Sequence, residues 1–218
     1  MRTSAAGRAA LGEIFPAQIG DPLRGAALVR ILGFVIGETF QAVLAAAQGG
    51  DEGAFAALWQ DANPALLRYL RVTAPEVAED VAADSWVQVV RGLARFRGDE
   101  SAWRAWLFTT ARRRVIDDAR YRARRPSSPV AEMPVTATPL SPDTADVALD
   151  RLSTSAAVAL VAELPQLQAE VILLRVLAGL DNEATAQLLG RSPGAVRVAA
   201  HRGLRRLAQL LADTGVTH

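Results

Sequence analysis

Neither cysteine nor lysine occurs among the 218 residues. The first absence excludes a disulfide framework and any thiolate metal site. The second makes every strongly basic side chain an arginine, the residue suited to bidentate contacts with phosphate or guanine. A GC-rich coding sequence accounts for the same bias. His201 and His218 are the only histidines, too few for a histidine-rich centre, so neither a metal nor a cofactor is expected. Aromatic residues make up 6% of the chain. The sequence shows no Gly-rich phosphate loop, no nucleophile motif and no carboxylate pair in an evident apolar pocket, and an enzyme is not expected. Glu79 and Asp80 are adjacent, but neighbours on a helix point about 100° apart, which makes them poor partners in one ligand set. Long hydrophobic runs are also missing. The apolar stretch 26–37 is interrupted by Arg30, is too short to span a bilayer and lies too far from Met1 to resemble a signal peptide. A cytoplasmic protein without membrane insertion is the expectation.

What is present is helical periodicity in a chain that is 50% apolar with a net charge of +1. Such a balance says little alone; the distribution of charge says more. The most patterned stretch runs from Leu164 to Leu211 and predicts three helices: 166–177, stopping near Gly179; 182–189; and a third from Pro193. Ser192 sits at the N-cap position of the third helix and Pro193 at its first residue, where a missing N–H costs nothing. Two short helices joined by a tight glycine-containing turn make a helix-turn-helix, whose second helix can enter the major groove. On that helix Val196, Ala199, Ala200, Gly203, Leu207 and Leu211 form an apolar stripe. Arg197, His201 and Arg205 recur on another face, flanked by Arg202 and Arg206. An ordinary solvated face would look similar; the capped turn favours DNA reading.

In chain order, residues 1–37 read as an extension with one amphipathic helix. From Glu38, a first helix carries Phe40, Val43, Leu44 and Ala47 and ends at Gly49-Gly50. Asp51 caps a second helix with Phe55, Leu58 and Trp59, and the pattern continues past Pro64 through Leu66, Leu67 and Leu70. Successive helical pairs of this kind indicate an all-α domain. Residues 76–93 predict a helix with Glu76, Glu79, Asp80 and Asp84 in its first half and Arg91 in its second. Complementarity to the helix dipole accounts for that order, and so does a surface for a partner protein. A turn at 95–101, centred on Gly98, leads to a long helix over 102–125. Its eight arginines (Arg104, Arg112, Arg113, Arg114, Arg120, Arg122, Arg124 and Arg125) have only Asp117 and Asp118 as local counter-charge. That excess is the footprint of a polyanion site. Trp103 and Trp106 both fit its buried stripe. Residues 126–148 contain five prolines without apolar periodicity and predict a linker, which can reach ~70–80 Å when extended. A further helix is expected over 149–164. The fold class is therefore all-α: two small helical domains joined by a Pro-rich linker.

Leu164-Pro165, Glu170-Val171, Leu174-Arg175, Gly179-Leu180 and Gly194 to Arg202 resemble region 4 of the bacterial extracytoplasmic-function (ECF) sigma factors of the sigma-70 family. Asp51 to Phe55, Ala78-Glu79-Asp80 followed by Trp86, Phe96-Arg97-Gly98, and Trp106-Leu107 through Ile116-Asp117 to Arg120 resemble region 2. The resemblance divides the chain into an extension (1–37), region 2 (38–125), a linker (126–148) and region 4 (149–214). It implies a transcription initiation factor that brings core RNA polymerase to a class of promoters.

By that resemblance region 4 docks on the polymerase β flap and reads the −35 element through Ser192, Gly194, Ala195, Arg197, His201, Arg202 and Arg205. Region 2 recognises and opens the −10 element through Phe96, Arg97, Arg104, Arg112, Arg113 and Arg120, with the loop 96–101 as the place for a flipped base. It binds the β′ clamp through Glu79, Asp80, Asp84, Trp86 and Gln88. An anti-sigma protein is a further partner that the resemblance admits. Two departures affect the −35 contacts. Ala195 stands where the family usually has threonine, removing a hydroxyl that could bond phosphate or base, and Asp181-Asn182 replace a more usual Ser-Tyr pair. The alternative is a stand-alone helix-turn-helix regulator binding operator DNA as a dimer. It leaves the acidic helix and the Arg-rich helix without a joint purpose.

Overall fold

The boundaries of the helices follow from local chemistry at their ends. A computed structural model describes residues 36–124 and 157–213, and all regular structure among these is helical. The expected N-terminal amphipathic helix (apart from its last two residues), the Pro-rich linker, Arg125 and the start of the helix expected over 149–164 lie outside the described residues.

Helix α1 (Phe40–Gln48) buries Phe40, Leu44 and Ala47 on one face. Asp51 then caps α2 (Glu52–Thr73), its carboxylate accepting from the Ala54 amide at 2.6 Å. Pro64 lies inside this helix without ending it. A 3-10 turn at Pro75–Val77 precedes α3 (Ala78–Leu93), so the regular helix starts two residues later than periodicity predicts. The opposite shift occurs at α4 (Glu100–Arg124), where Asp99 accepts from the Ala102 amide at 2.8 Å and starts the helix before Ser101. These four helices enclose Trp103, which is 1% exposed. The rings of Phe40, Trp86, Phe96 and Trp106 lie around it with centroids 5.6–6.5 Å away, in tilted and edge-to-face geometry that suits aromatic quadrupoles.

A short helical segment at 157–162 leads to the second module: α5 (Gln166–Val176), α6 (Asn182–Leu189) and α7 (Pro193–Asp213). Asp181 caps α6 through the Ala184 amide at 2.8 Å. Gly190 ends it with φ +63°, a left-handed conformation that side chains with a Cβ seldom adopt. The three-helix expectation thus holds to within a residue. The two modules also touch: α2 packs against α5, and α4 against α6. One continuous apolar core runs through both.

Candidate nucleic-acid interface

The α6–turn–α7 unit presents one face of α7 to solvent. Ser192 Oγ accepts from the Ala195 amide at 3.2 Å, which fixes where the helix begins. Val196, Ala199, Ala200, Gly203 and Leu207 are buried. Val196 and Leu207 bear the larger share of that stripe, and Leu211 lies at its half-buried end. Arg197, His201, Arg202, Arg205 and Arg206 are all exposed, as are Ser192 and Ala195, while Gly194 is half-buried. The structure therefore brings the residues expected at the −35 element onto one open, basic surface. Donors of this kind at the N-terminal half of a helix are what a major groove accepts.

The surface formed by α3, the loop after it and α4 is more mixed. Phe96 stacks on Trp106 with centroids 5.1 Å apart and packs edge-on against Trp103. It is half-buried, so the loop is held by its aromatic side chain. Arg97 is exposed, but its guanidinium donates to the Ala94 and Phe96 carbonyls at 3.0 and 2.7 Å and helps shape the turn. Arg113 and Arg120 are exposed on α4. A groove of about 330 Å3 lies between α3 and α4, lined by Gln88, Trp106, Thr110, Arg113, Arg114 and Asp117. With its amide oxygen turned toward them, Gln88 accepts from Arg91 at 3.2 Å and Arg114 at 2.7 Å. This residue, expected on the polymerase face, is half-buried and lines that groove. Trp106, Thr110 and Arg114 were not among the expected site residues. Their spacing along α4 puts them on one face, a signal lost when its arginines are taken as a single charged stripe.

Three expectations are corrected. Arg104 does not face DNA: it is 6% exposed, bonded to Glu100 at 2.6 Å and 3.7 Å from Asp61. A buried guanidinium needs carboxylate partners, and two from its own module provide them. Burial pushes the Asp61 carboxyl up to about 6 against the opposing pull of Arg104. Trp86 is not a surface contact either. It is 7% exposed and its indole N–H donates to Asn63 Oδ1 at 2.9 Å, with its ring against Phe55. Nor are the arginines of α4 balanced by Asp117 and Asp118 alone. Arg122 pairs with Glu76 and Asp118, each at 2.7 Å, and Arg114 lies 3.8 Å from Asp84. Arg112 bonds Glu170 of the second module at 2.7 Å.

On α3 the other expected polymerase contacts are exposed. Glu79 accepts two hydrogen bonds from Arg71, at 2.9 and 3.1 Å, and Asp80 and Asp84 point outward beside the exposed Val87 and Val90. Among the described residues no helix is long and apolar enough to cross a membrane.

The same two modules emerge from comparison with known proteins. A family model for sigma-70 region 2 matches residues 58–125, and one for sigma-70 region 4 matches residues 155–207. The ECF RNA polymerase sigma factor ShbA of Streptomyces griseus is 38% identical over 172 residues, 74% of this chain and 89% of that protein. The ECF RNA polymerase sigma factor SigD of Mycobacterium tuberculosis is 32% identical over 186 residues, 82% of this chain and 87% of that protein. Among solved structures, CnrH in complex with the cytosolic domain of CnrY superposes with a TM-score of 0.52 at 25% identity, covering 81% of this chain and 99% of that one. With two matching modules in the same order and relatives aligned over most of their length, the chain belongs to the ECF RNA polymerase sigma factors.

Proposed function

We propose that this chain directs core RNA polymerase to a two-part promoter, with the exposed face of α7 on the −35 element and the Phe96 loop with the open face of α4 on the −10 element. The observation that carries the reading is the division of α7: one face buried, the other offering Arg197, His201, Arg202 and Arg205 to solvent beside a capped N-terminus. On α4 the contacts fall to Arg113 and Arg120, with the groove beside Trp106 adjoining them. Glu79, Asp80 and Asp84, alongside Val87 and Val90, form the face for the polymerase clamp, a mixed acidic and apolar patch of the kind that protein partners cover. The polymerase performs the chemistry, and the chain works beside it in the cytoplasm. CnrH is solved in complex with the cytosolic domain of CnrY, and a protein partner, in our reading an anti-sigma factor, fits this chain.

Transcription in vitro with core polymerase tests the reading. Promoter-dependent initiation is expected, and Arg197→Ala should weaken it by ~1–3 kcal/mol, roughly 5- to 150-fold, if Arg197 contacts a base. Unchanged preference among altered −35 sequences would remove Arg197 from recognition, and the absence of initiation by a folded protein would sink the whole proposal.

A further inference from the structure

We propose that Glu170 is a latch that holds the two helical modules closed and must release before both promoter-reading surfaces can act. The proposal rests on the promoter reading given above. Glu170 belongs to α5 of the second module and is 8% exposed, yet the partners of its carboxylate come from the first. Tyr69 Oη donates to Oε1 at 2.9 Å and Arg112 Nε donates to the same oxygen at 2.7 Å. Tyr69 is 1% exposed, and its ring packs edge-on against Phe108 at 5.4 Å. Its phenol is a dependable donor: burial first, then the Glu170 charge beside it, push its proton loss well above the ordinary tyrosine range.

The contact extends beyond this triad. Arg104 Nη1 lies 3.2 Å from the point where a Cβ on Gly179 would stand, so the start of the α5–α6 connection, where Gly179 has φ +65°, lies close against the first module. Closure also withdraws Arg112 from the otherwise basic surface of α4. By name, the two promoter elements are centred about 25 base pairs apart, ~85 Å along a duplex at ~3.4 Å per base pair. Modules whose helices pack directly together do not span that distance, so the linker's reach matters only after they separate.

A latch of this composition is releasable for a physical reason. A buried ion pair gains little over its separated, hydrated partners, because desolvation offsets most of the attraction. Pulling the modules apart returns Glu170, Arg112 and the Tyr69 hydroxyl to water together. Removing one partner while the others stay buried is far less favourable. The triad thus makes closure specific, the apolar core shared by the two modules adds to its strength, and a ligand that prefers the open chain shifts the equilibrium.

The absence of cysteine allows a direct test. Ala56→Cys and Gln187→Cys place spin labels on exposed positions of α2 and α6 in the full chain. Pulsed electron resonance should give one narrow, short distance in the otherwise unaltered protein. Glu170→Ala should convert most of it to a broad, longer distribution with unchanged helix content, and Arg112→Ala should do so in part. Should Glu170→Ala lose helix content, Glu170→Gln, which keeps the shape and removes the charge, is the variant to read. Opening should also tighten binding to core polymerase at least ~3-fold, since the closed fraction no longer subtracts from affinity. A short distance that persists in both Glu170→Gln and Arg112→Ala overturns the latch. So does lengthening with no gain in polymerase affinity. If neither the unaltered chain nor its variants initiate at a promoter, the functional reading fails while the distances still report on the latch.

Discussion

Gly203 is buried where α7 crosses α5, and a Cβ built on it would stand 2.6 Å from Ile172 Cδ1 and 3.2 Å from Gln168 Cβ. Two effects oppose each other in Gly203→Ala. Alanine is favoured over glycine in a helix interior by ~1 kcal/mol, while overpacking a filled core costs ~1–3 kcal/mol. The Ile172 methyl sits at the end of a flexible side chain, but that residue is 3% exposed and has little room to swing. The Gln168 Cβ moves only with the α5 backbone. Overpacking should therefore win, for a net loss of ~1 kcal/mol in Gly203→Ala and ~2–4 kcal/mol in Gly203→Val, where two more methyl groups enter the crossing. Gly194 provides the internal control. It lies in the same helix, and its nearest obstacle, Ser192 Oγ, is 4.0 Å away, so Gly194→Ala should gain up to ~0.5–1 kcal/mol. Urea unfolding followed by far-ultraviolet circular dichroism measures both. Tryptophan fluorescence would not serve, because Trp59, Trp86, Trp103 and Trp106 all lie in the first module. If Gly203→Ala stabilises the chain as much as Gly194→Ala does, close helix crossing is not the reason for glycine there.

Asp61 gives a pH signature. Its carboxyl is raised to about 6 by burial, so the folded chain holds the proton more tightly than the unfolded chain does. Stability is highest below about 4 for this group and falls as pH rises through about 6, for a loss of ~2–3 kcal/mol. Asp61→Asn should recover most of that at pH 8 and almost none at pH 4; equal effects at both would refute the assignment. Ser192→Ala should cost ~1 kcal/mol by freeing the Ala195 amide, read as a lower urea midpoint. An unchanged midpoint would mean that water replaces the hydroxyl at no loss.

The helix-turn-helix was legible because its determinants are local. A cap at Ser192, a proline at the first position of α7 and a glycine ending α6 lie within a few residues of the structure they fix. The apolar stripe of α7 follows from spacing alone. What sequence could not show is partnership across elements. Arg104 and Arg113 look alike in an Arg-rich helix, yet the first is buried between Asp61 and Glu100 and the second lines an open groove. Trp86 looks as suitable for a surface as Trp59, but its ring packs inside and Asn63, 23 residues earlier, takes its N–H. Glu170 is the clearest case. It is an ordinary helical glutamate until α2 and α4 arrive with Tyr69 and Arg112 from 101 and 58 residues away. The family resemblance did not help there either, since it assigned Arg112 to DNA.

These pairings change where the electrostatic work falls. Counterion release scales with the phosphates neutralised, hence with cations free to reach them. Along α4, Arg104, Arg112, Arg114 and Arg122 each have a carboxylate within 4 Å supplied by another turn, helix or module. Arg113, Arg120 and Arg124 remain outward, Arg120 beside Asp117 at 3.7 Å. No acidic residue lies between Arg191 and Gln209, whereas α7 exposes Arg197, His201, Arg202, Arg205 and Arg206 on a single helix. The shorter basic run thus offers the stronger uncompensated field, although the longer one carries more arginines. A module that attracts DNA from a distance and one that holds it in contact need different charge. Under the promoter reading proposed above, this distribution gives the first role to α7 and the second to the α3–α4 surface, with its aromatic cluster and groove.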